Sequence, residues 1–473
     1  MAHRWKVLLI VSVGLFMSSL DLFIVNIAFP DLAASFAGAS LPSLSWVLNA
    51  YAIVFAALLV PAGRIADRVG RKRVFVLGLL LFCFASALCA TAPSVGFLVA
   101  ARVLQAAGGA MMIPTTLGLI LPAFPPQQRA LAIGIWSAIS GVAAALGPPI
   151  GGLLVQLSWH WIFLVNVPIG LFTAVIAVRV LDEVREPEDG RPDLLGAAML
   201  ALGIGLLTLG IVKGPDWGWS DPRDVASFAA ALALIVAFVV RSAHHHAPVI
   251  ELPLLRVRSF ALANLATLVF FSGFGSMLLS GVFLLTDVWG YSPLKAGFAL
   301  SPGPLMAATL AIPSGRLGGR IGQRAVATVG GLTFAASFAY ILATVGPTPE
   351  YATTFLPGFM FCGVGVGMAL GTLPAAATAA LPAGRFATGS AVFGMARQLG
   401  SAIGVAVLIA LLGDSTGGDL LAGLRRGWWF SLAAGLGCAA LSLAIGPVGS
   451  AARERAPSQR PADAGEPAVE ASI

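Results

Sequence analysis

The sequence has very little charge for its length. Of its 473 residues only 10% are Asp, Glu, Lys or Arg, whereas 58% are apolar. A water-soluble chain of this size carries about a quarter charged residues. Helix faces that contact lipid need no charge to stay dispersed. The shortage of charge therefore argues against a large soluble domain and predicts an integral membrane protein.

Lysine is the scarcest of the charged residues. Arginine supplies most of the net charge of +7, and the chain has only four lysines: Lys6, Lys72, Lys213 and Lys295. The arginines lie mostly in short loops between apolar segments, which indicates membrane topology rather than nucleic-acid binding. No nucleic-acid partner is expected.

Cysteine is also rare, and its positions argue against a disulfide framework. Cys83, Cys89, Cys362 and Cys438 all lie inside long apolar segments, so we expect them to be small packing residues. The run His244–His246 has no second ligand cluster, and we interpret it as a solvated loop rather than a metal site.

Motifs for covalent or nucleotide chemistry are missing. The sequence contains no GxxxxGK[ST] phosphate loop, no HExxH, and no GxSxG with a distant acid and histidine. It therefore predicts no enzymatic activity, no metal and no cofactor. Without a nucleotide site, uphill transport must draw on an ion gradient.

Fourteen apolar runs are long enough to cross a membrane as helices, the element that satisfies its own backbone in lipid. They cover 7–29, 45–63, 74–92, 96–121, 131–155, 161–181, 194–212, 225–242, 260–286, 297–315, 325–345, 352–372, 388–412 and 428–447. The first run follows Arg4 and Lys6, as in a signal peptide. It is long enough to span, so we interpret it as an uncleaved first helix.

The basic residues favour one orientation. With the amino terminus inside, the outside segments hold only Lys213, Arg223, Lys295, Arg425 and Arg426, and most other basic residues fall inside. Cytoplasmic loops are enriched in Lys and Arg. We therefore expect both termini to be cytoplasmic and the protein to lie in the plasma (inner) membrane.

An internal repeat divides the chain. Residues 61–70 and 313–322 are identical at five of ten positions, at a constant offset of 252. Chance similarity is disfavoured because both copies follow the second helix of a half. Parallel repeats of this kind build a central cavity. The predicted fold is all-α, with fourteen helices as 6 + 2 + 6. Its parts are a first bundle at 1–185, an inserted pair at 186–250, a second bundle at 251–450 and a disordered tail at 451–473.

Asp21 is the only carboxylate well inside a predicted span. It lies about 12 Å from the outer end of the first helix, and Arg102 lies about 9 Å below the same surface, at about 1.5 Å per residue. We expect the two to face each other. One interpretation is a fixed ion pair that locks the helices. We favour a proton switch, since the arginine favours the ionised acid whereas loss of hydration favours the neutral one.

Two further features lie within predicted spans. Arg397 has no evident acidic partner, and two interpretations stay open: it contacts backbone carbonyls, or it lines a cavity and attracts an anionic group. Glycine and proline cluster in the fifth helix at Gly141, Gly147, Pro148, Pro149, Gly151 and Gly152. Such residues permit close helix packing and bends.

These motifs resemble the fourteen-helix drug:proton antiporters of the major facilitator superfamily, over residues 1–450. The resemblance rests on five segments: Leu20-Asp21 with Asn26 and Pro30; Gly63 to Lys72; Arg102, Gln105 and Gly109; Gly141 to Gly152; and Arg397-Gln398-Leu399-Gly400. Trp159 to Gly170 and Gly290 to Gly297 are similar to segments of the same branch.

The resemblance implies roles for these residues. Asp21 and Arg102 would couple transport to protons. The conformational switch would comprise Gly63, Asp67, Arg68, Gly70 and Arg71. The antiporter motif would comprise Gly141, Gly147, Pro148, Gly151 and Gly152. Candidate lining residues of the substrate cavity are Asn26, Trp46, Tyr51, Gln105, Trp136 and Arg397. The sequence departs from the family pattern at Ala106, His160 and Gly319, and the last of these puts a symmetric charged switch in doubt.

The sequence therefore predicts a proton-coupled exporter of small lipophilic or amphipathic compounds such as drugs or antibiotics. The alternative is a dedicated exporter of one metabolite, including an anionic one. A non-transporting sensor is disfavoured because almost no soluble mass is available for a partner. The expected partners are a small-molecule substrate, protons and the lipid bilayer, and we expect a monomer.

Overall fold

The computed structural model describes residues 3–36, 38–185, 192–381, 386–413 and 418–445. Within these ranges every regular element is a helix, and fourteen segments are long and apolar enough to cross a membrane. The predicted fourteen-helix fold is thereby confirmed. The predicted tail at 451–473 lies outside the described residues.

The first bundle contains six of these segments. They are α1 (His3–Ile27), α2 (Leu41–Val69), α3 (Arg71–Ala90), α4 (Val95–Ala123), α5 (Leu131–Leu157) and α6 (Trp161–Val180). A short helix at Phe29–Ser35, with Pro30 in its first turn, connects α1 to α2. Two segments follow as a hairpin, α7 (Leu194–Trp217) and α8 (Pro222–His244).

The second bundle contains the remaining six. They are α9 (Arg258–Val288), α10 (Pro293–Ile321), α11 (Gln323–Thr344), α12 (Tyr351–Thr378), α13 (Thr388–Leu412) and α14 (Asp419–Ala444). π-helical turns end α9 at Leu284–Val288 and begin α12 at Tyr351–Phe355.

Local sequence signals explain where several helices begin and end. Ser40, Ser94 and Ser292 cap α2, α4 and α10 by accepting a hydrogen bond from a backbone N–H in the first turn. α2 and α10 end at Gly70 and Gly322, whose φ angles of +129° and +100° suit glycine. The two glycines are 252 residues apart, so the repeat seen in the sequence is also a repeat of backbone geometry.

The last helix differs most from its predicted bounds. The apolar run begins at residue 428, whereas α14 begins at Asp419. Arg425 explains the extension, because its guanidinium donates to the carbonyl oxygens of Leu342 at 2.7 Å and Val345 at 3.3 Å, at the end of α11. An apolar run marks only the part of a helix that lies in hydrocarbon, and a helix can continue beyond it.

The two bundles have matching helix contacts. α1 packs on α4, α5 and α6, as α9 packs on α12, α13 and α14; α3 packs on α4 and α6, as α11 packs on α12 and α14. Between the bundles, α2 packs on α13 and α5 packs on α10, which are equivalent pairs under the same symmetry. α7 packs on both α2 and α13. The structure is therefore two pseudo-symmetric bundles with a hairpin beside one of their two seams.

Candidate functional site

A buried ion pair lies in the first bundle. The carboxylate Oδ2 of Asp21 on α1 accepts a hydrogen bond of 2.6 Å from Nη1 of Arg102 on α4. Asp21 is 0% exposed and Arg102 is 1% exposed. The structure thus places the two predicted residues in direct contact.

Gln105 extends this pair into a network. Its amide Nε2 donates to Oδ1 of Asp21 at 2.9 Å and to Oγ of Ser86 on α3 at 2.7 Å. Its Oε1 accepts from Arg102 at 2.6 Å. Asn166 on α6 also donates to Ser86, at 3.3 Å. Four helices of the first bundle therefore meet through one connected set of polar groups.

The guanidinium of Arg102 has further partners on other helices. Its Nε donates to the carbonyl oxygen of Val47 on α2 at 3.1 Å. The guanidinium carbon lies 4.1 Å from the ring centre of Tyr51 on α2 and 5.8 Å from that of Phe163 on α6. Cation–π contacts of this kind gain strength where water is excluded. The Arg102 charge is therefore paired and enclosed on every side.

The charge of Asp21 contributes to the contact between α1 and α4. Each of its carboxylate oxygens accepts one hydrogen bond, Oδ2 from Arg102 and Oδ1 from Gln105, and both donors lie on α4. A protonated Asp21 would leave the Arg102 cation without its counter-ion, which costs several kcal/mol in a buried site. Loss of the Asp21 charge would therefore weaken the contact between these two helices.

Sequence reasoning missed several members of this network, among them Ser86, Asn166, the carbonyl of Val47 and Cys89, whose thiol donates to Oε1 of Gln105 at 3.7 Å. Asn166 lies in a segment noted for its family resemblance, but no pattern in the sequence indicated that its side chain reaches Ser86. A single serine or asparagine within an apolar run indicates that a buried polar side chain needs a hydrogen-bond partner. The sequence does not indicate which residue that partner is. Asn49 on α2 gives the same signal: it is 0% exposed, and neither polar atom of its side chain has a partner among the described residues.

The candidate lining residues occupy different environments. Tyr51 and Gln105 are fully buried inside the network, so contact with a substrate requires the network to open. Asn26 donates to the carbonyl of Leu22 at 2.7 Å, and Trp136 donates to Thr116 at 2.9 Å. Trp46 packs, partly buried, against the main hydrophobic core. Their part in substrate contact stays a prediction.

Arg397 lies on α13, in the second bundle. Its guanidinium is 6.0 Å from the ring centre of Phe271 on α9. Among the residues that the structure describes, it donates no hydrogen bond to a backbone carbonyl or to any other acceptor, and the side chain is only partly buried. Of the two open interpretations, the contact with carbonyls is therefore not the one observed.

The loop between α2 and α3 is held by a salt bridge and a hydrogen bond, which together we call the Asp67–Arg71 clasp. Asp67 accepts a hydrogen bond of 2.7 Å from Nε of Arg71, and Nη1 of Arg71 donates to the carbonyl of Gly118 on α4 at 3.1 Å. Arg68 is exposed. The clasp ties the ends of α2 and α3 to α4.

Two glycines of this region permit close approach. At Gly70 a side chain would meet the carboxylate of Glu183, which itself accepts from the backbone N–H of Lys72 at 3.0 Å. At Gly63 a Cβ would lie 3.3 Å from Pro114 on α4. Glycine at both positions lets neighbouring elements pack directly on the end of α2 and the loop that follows it.

The glycines of α5 contact two helices. Gly147 and Gly151 face Phe23 and Ile24 of α1, and a Cβ at either position would run into them. Gly152 faces the backbone of Pro293 in α10, while the carbonyl of Pro148 meets Gly297. Gly141 faces Ala308, further along α10. The predicted antiporter motif therefore forms the close contact between α5 and both α1 and α10.

The described residues contain no group of three or more His, Cys, Asp or Glu arranged to hold a metal ion. All four cysteines are free and buried.

Comparison with known proteins identifies a family. The model of the Major Facilitator Superfamily matches residues 11–405 and 265–470. A probable actinorhodin transporter of Streptomyces coelicolor is 36% identical over 439 residues, which cover 90% of this chain and 75% of the relative. The tetracenomycin C resistance and export protein of Streptomyces glaucescens is 35% identical over 419 residues, covering 87% and 77%.

A solved structure supports the fold. A bacterial homologue of the human lysosomal transporter Spinster, in an inward-facing and unoccupied conformation, superimposes with a TM-score of 0.66. The match covers 94% of this chain and 97% of that one at 17% identity. At that identity the likeness concerns the fold alone.

Proposed function

Because the chain belongs to the Major Facilitator Superfamily, as a multi-pass membrane transporter, we propose that it exports small lipophilic or amphipathic compounds of the antibiotic or drug type in exchange for protons. The names of its relatives support the substrate class, since several are called antibiotic or multidrug export or resistance proteins. The observation that carries the coupling mechanism is the buried Asp21–Arg102 pair.

In this mechanism Asp21 loads and releases the proton. Loading breaks the ionic bond to Arg102 and frees Gln105 to change partner. Because the network links α1, α2, α3, α4 and α6, the change reaches most of the first bundle. Burying a carboxylate inside the membrane is energetically unfavourable, so the presence of Asp21 there favours a functional role.

The rest of the machinery follows from the packing. The glycines of α5 provide a smooth contact on which α1 and α10 move, and the Asp67–Arg71 clasp holds the α2–α3 loop in one of its arrangements. The proton gradient supplies the energy, and no cofactor and no enzymatic step take part. The proposed location is the plasma (inner) membrane, with the arginine-rich loops and both termini in the cytoplasm, and the proposed functional unit is the monomer.

A dedicated exporter of a single metabolite is the second candidate. It is favoured by relatives that are named for one compound, such as the tetracenomycin C protein. Competition between unrelated dyes for export separates the two candidates. Unrelated dyes compete for export by a multidrug exporter, whereas a dedicated exporter does not transport them.

The test of coupling is Asp21→Asn in inverted membrane vesicles. The variant keeps the size of the side chain and its acceptor for Arg102 but cannot release a proton. We expect an imposed pH gradient to drive no dye movement in this variant, while its level in the membrane matches wild type. Asp419→Asn is the matched control, since Asp419 is exposed at the start of α14. Undiminished gradient-driven transport by Asp21→Asn would falsify the coupling role.

A further inference from the structure

Arg397 is the one charge of the described membrane interior that has no counter-ion. Away from their first and last turns, the apolar runs of the described spans carry three charged side chains: Asp21, Arg102 and Arg397. The first two neutralise each other at 2.6 Å. An isolated cation in a poorly hydrated site is costly unless a ligand or water compensates it.

The position of Arg397 directs it between the two bundles. It lies nine residues beyond Thr388, or about 14 Å along α13 at about 1.5 Å per residue. Ser390, Gly394, Arg397 and Ser401 follow one another at helical spacing, and each is partly or fully accessible. Gly394 faces Leu59 of α2, across the bundles, where a Cβ would lie 2.9 Å from the leucine methyl. Ser401, by contrast, packs on Gly275 of α9, so Arg397 lies between the part of α13 that faces α2 and the part that faces α9.

Close packing of α13 on α9 holds Arg397 at the edge of the contact between these two helices, since Gly400 and Gly404 lie on the same side of α13 at i+3 and i+7. Gly400 and Gly404 bring α13 against the backbone of α9 at Leu268 and Ser272, with no room for a side chain. The long Arg397 side chain therefore lies beside this seam, over Phe271. Phe271 in turn meets Phe274 edge to face at 5.4 Å, and Phe274 is only partly buried. The Arg397 cation therefore lies beside a pair of aromatic rings, those of Phe271 and Phe274.

We propose that Arg397 binds the anionic group of the exported compound and that Phe271 and Phe274 receive its aromatic part. The substrate class is thus an amphipathic aromatic compound with one acidic oxygen group, such as a carboxylate, phenolate or sulfonate. Arginine suits this task because its planar fork pairs with two oxygens at once and stays charged at every physiological pH. Aromatic rings bind the remaining apolar surface in preferred edge or offset geometries. This inference rests on the proposed export function.

Charge balance gives the proposal a second consequence. When one proton enters as a monovalent anion leaves, two positive charges in effect move inward. When one proton enters as a monovalent cation leaves, no net charge moves. A membrane potential that is negative inside therefore drives export of the anion and has no effect on a one-for-one exchange with the cation.

The experiment uses the full chain in proteoliposomes with an imposed pH gradient. The probes are anthracene-2-sulfonate and ethidium, two aromatic dyes with permanent charges of opposite sign. Arg397→Gln should lower transport of the sulfonate about tenfold or more, the effect of losing one good charge-assisted contact, and leave ethidium within about twofold of wild type. Arg397→Lys should keep much of the sulfonate transport. Arg426→Gln, at an exposed arginine of α14, is the matched control.

The outcomes separate this proposal from the proposed function. If wild type transports ethidium but no sulfonate, or if Arg397→Gln lowers both dyes equally, the anion site is rejected while proton-coupled export stands. If wild type moves neither dye under a pH gradient, the export function itself fails. Retention volume and melting temperature of each variant show whether it folds. If Arg397→Gln does not fold, Arg397→Met, which also removes the charge, carries the test with the same expected loss. A valinomycin-set potential that leaves sulfonate transport unchanged also overturns the proposal.

Discussion

The two bundles share their packing but not their charges. The first encloses the Asp21–Arg102 pair, in which two opposite charges lie in direct contact. The second carries Arg397 without any partner among the described residues. The same contrast holds in the loops, where Asp67 and Arg71 of the first copy correspond to Gly319 and Gln323. The two bundles therefore share their pattern of helix contacts but differ in their charged side chains.

The largest effect expected from this contrast concerns the two intramembrane arginines. Arg102→Gln leaves Asp21 buried without its counter-ion and should lower the free energy of unfolding by about 3–5 kcal/mol. Adding Asp21→Asn should recover at least half of that loss, because no charge is then left unpaired. Chemical unfolding in detergent measures both variants.

Arg397→Gln is the matched comparison, and it should change the same free energy by less than about 1 kcal/mol. A cost for Arg397→Gln as large as that for Arg102→Gln would remove the distinction between a paired and an unpaired arginine, and with it the asymmetry between the bundles.

A smaller effect distinguishes the two equivalent glycines. Gly70→Ala places a methyl group at a φ of +129° and displaces the Glu183 carboxylate, which contacts the start of α3, so about 1–3 kcal/mol of stability should be lost. Gly322→Ala meets the same backbone strain at +100° but no atom within 4 Å, and should cost about 1 kcal/mol. Equal losses at both positions would show that the Glu183 contact contributes nothing.

The smallest effect lies where the bundles meet, at the end opposite the arginine-rich loops. Phe29 and Phe283 pack edge to face at 5.7 Å, and Asp31 follows in the short helix after α1. Partial burial, and secondarily the charge of Asp287, raise the pKa of Asp31 above its usual 3.8. The folded protein therefore binds this proton more tightly than the unfolded chain does.

The sign of the pH effect follows from that shift. Stability from Asp31 is greatest when the carboxyl is protonated and falls as the pH rises from about 3.8 through the raised pKa. Asp31→Asn should flatten the melting temperature over this window and raise it slightly at neutral pH. An unchanged pH profile would show that the Asp31 carboxylate is already solvated in the folded state.

The sequence allowed the fold and part of the site to be predicted, for different physical reasons. Hydropathy marks helices because lipid demands apolar surface, and a rise of about 1.5 Å per residue sets depth, so Asp21 and Arg102 could be placed at matching levels. The sequence of a helix that is apolar on all sides does not indicate which face points toward a given neighbour, because no polar face marks its rotation about the axis. The partnership of Gln105 with Ser86, and of Asn166 with Ser86, depends on that rotation and was not predictable.

The inserted hairpin makes the two seams between the bundles unequal. α7 lies along α2 and α13 and covers that seam, whereas no extra described helix covers the equivalent seam between α5 and α10. Motion of one bundle against the other at the α2–α13 seam must therefore also move or slide past α7, while at the α5–α10 seam it involves only the two helices in contact.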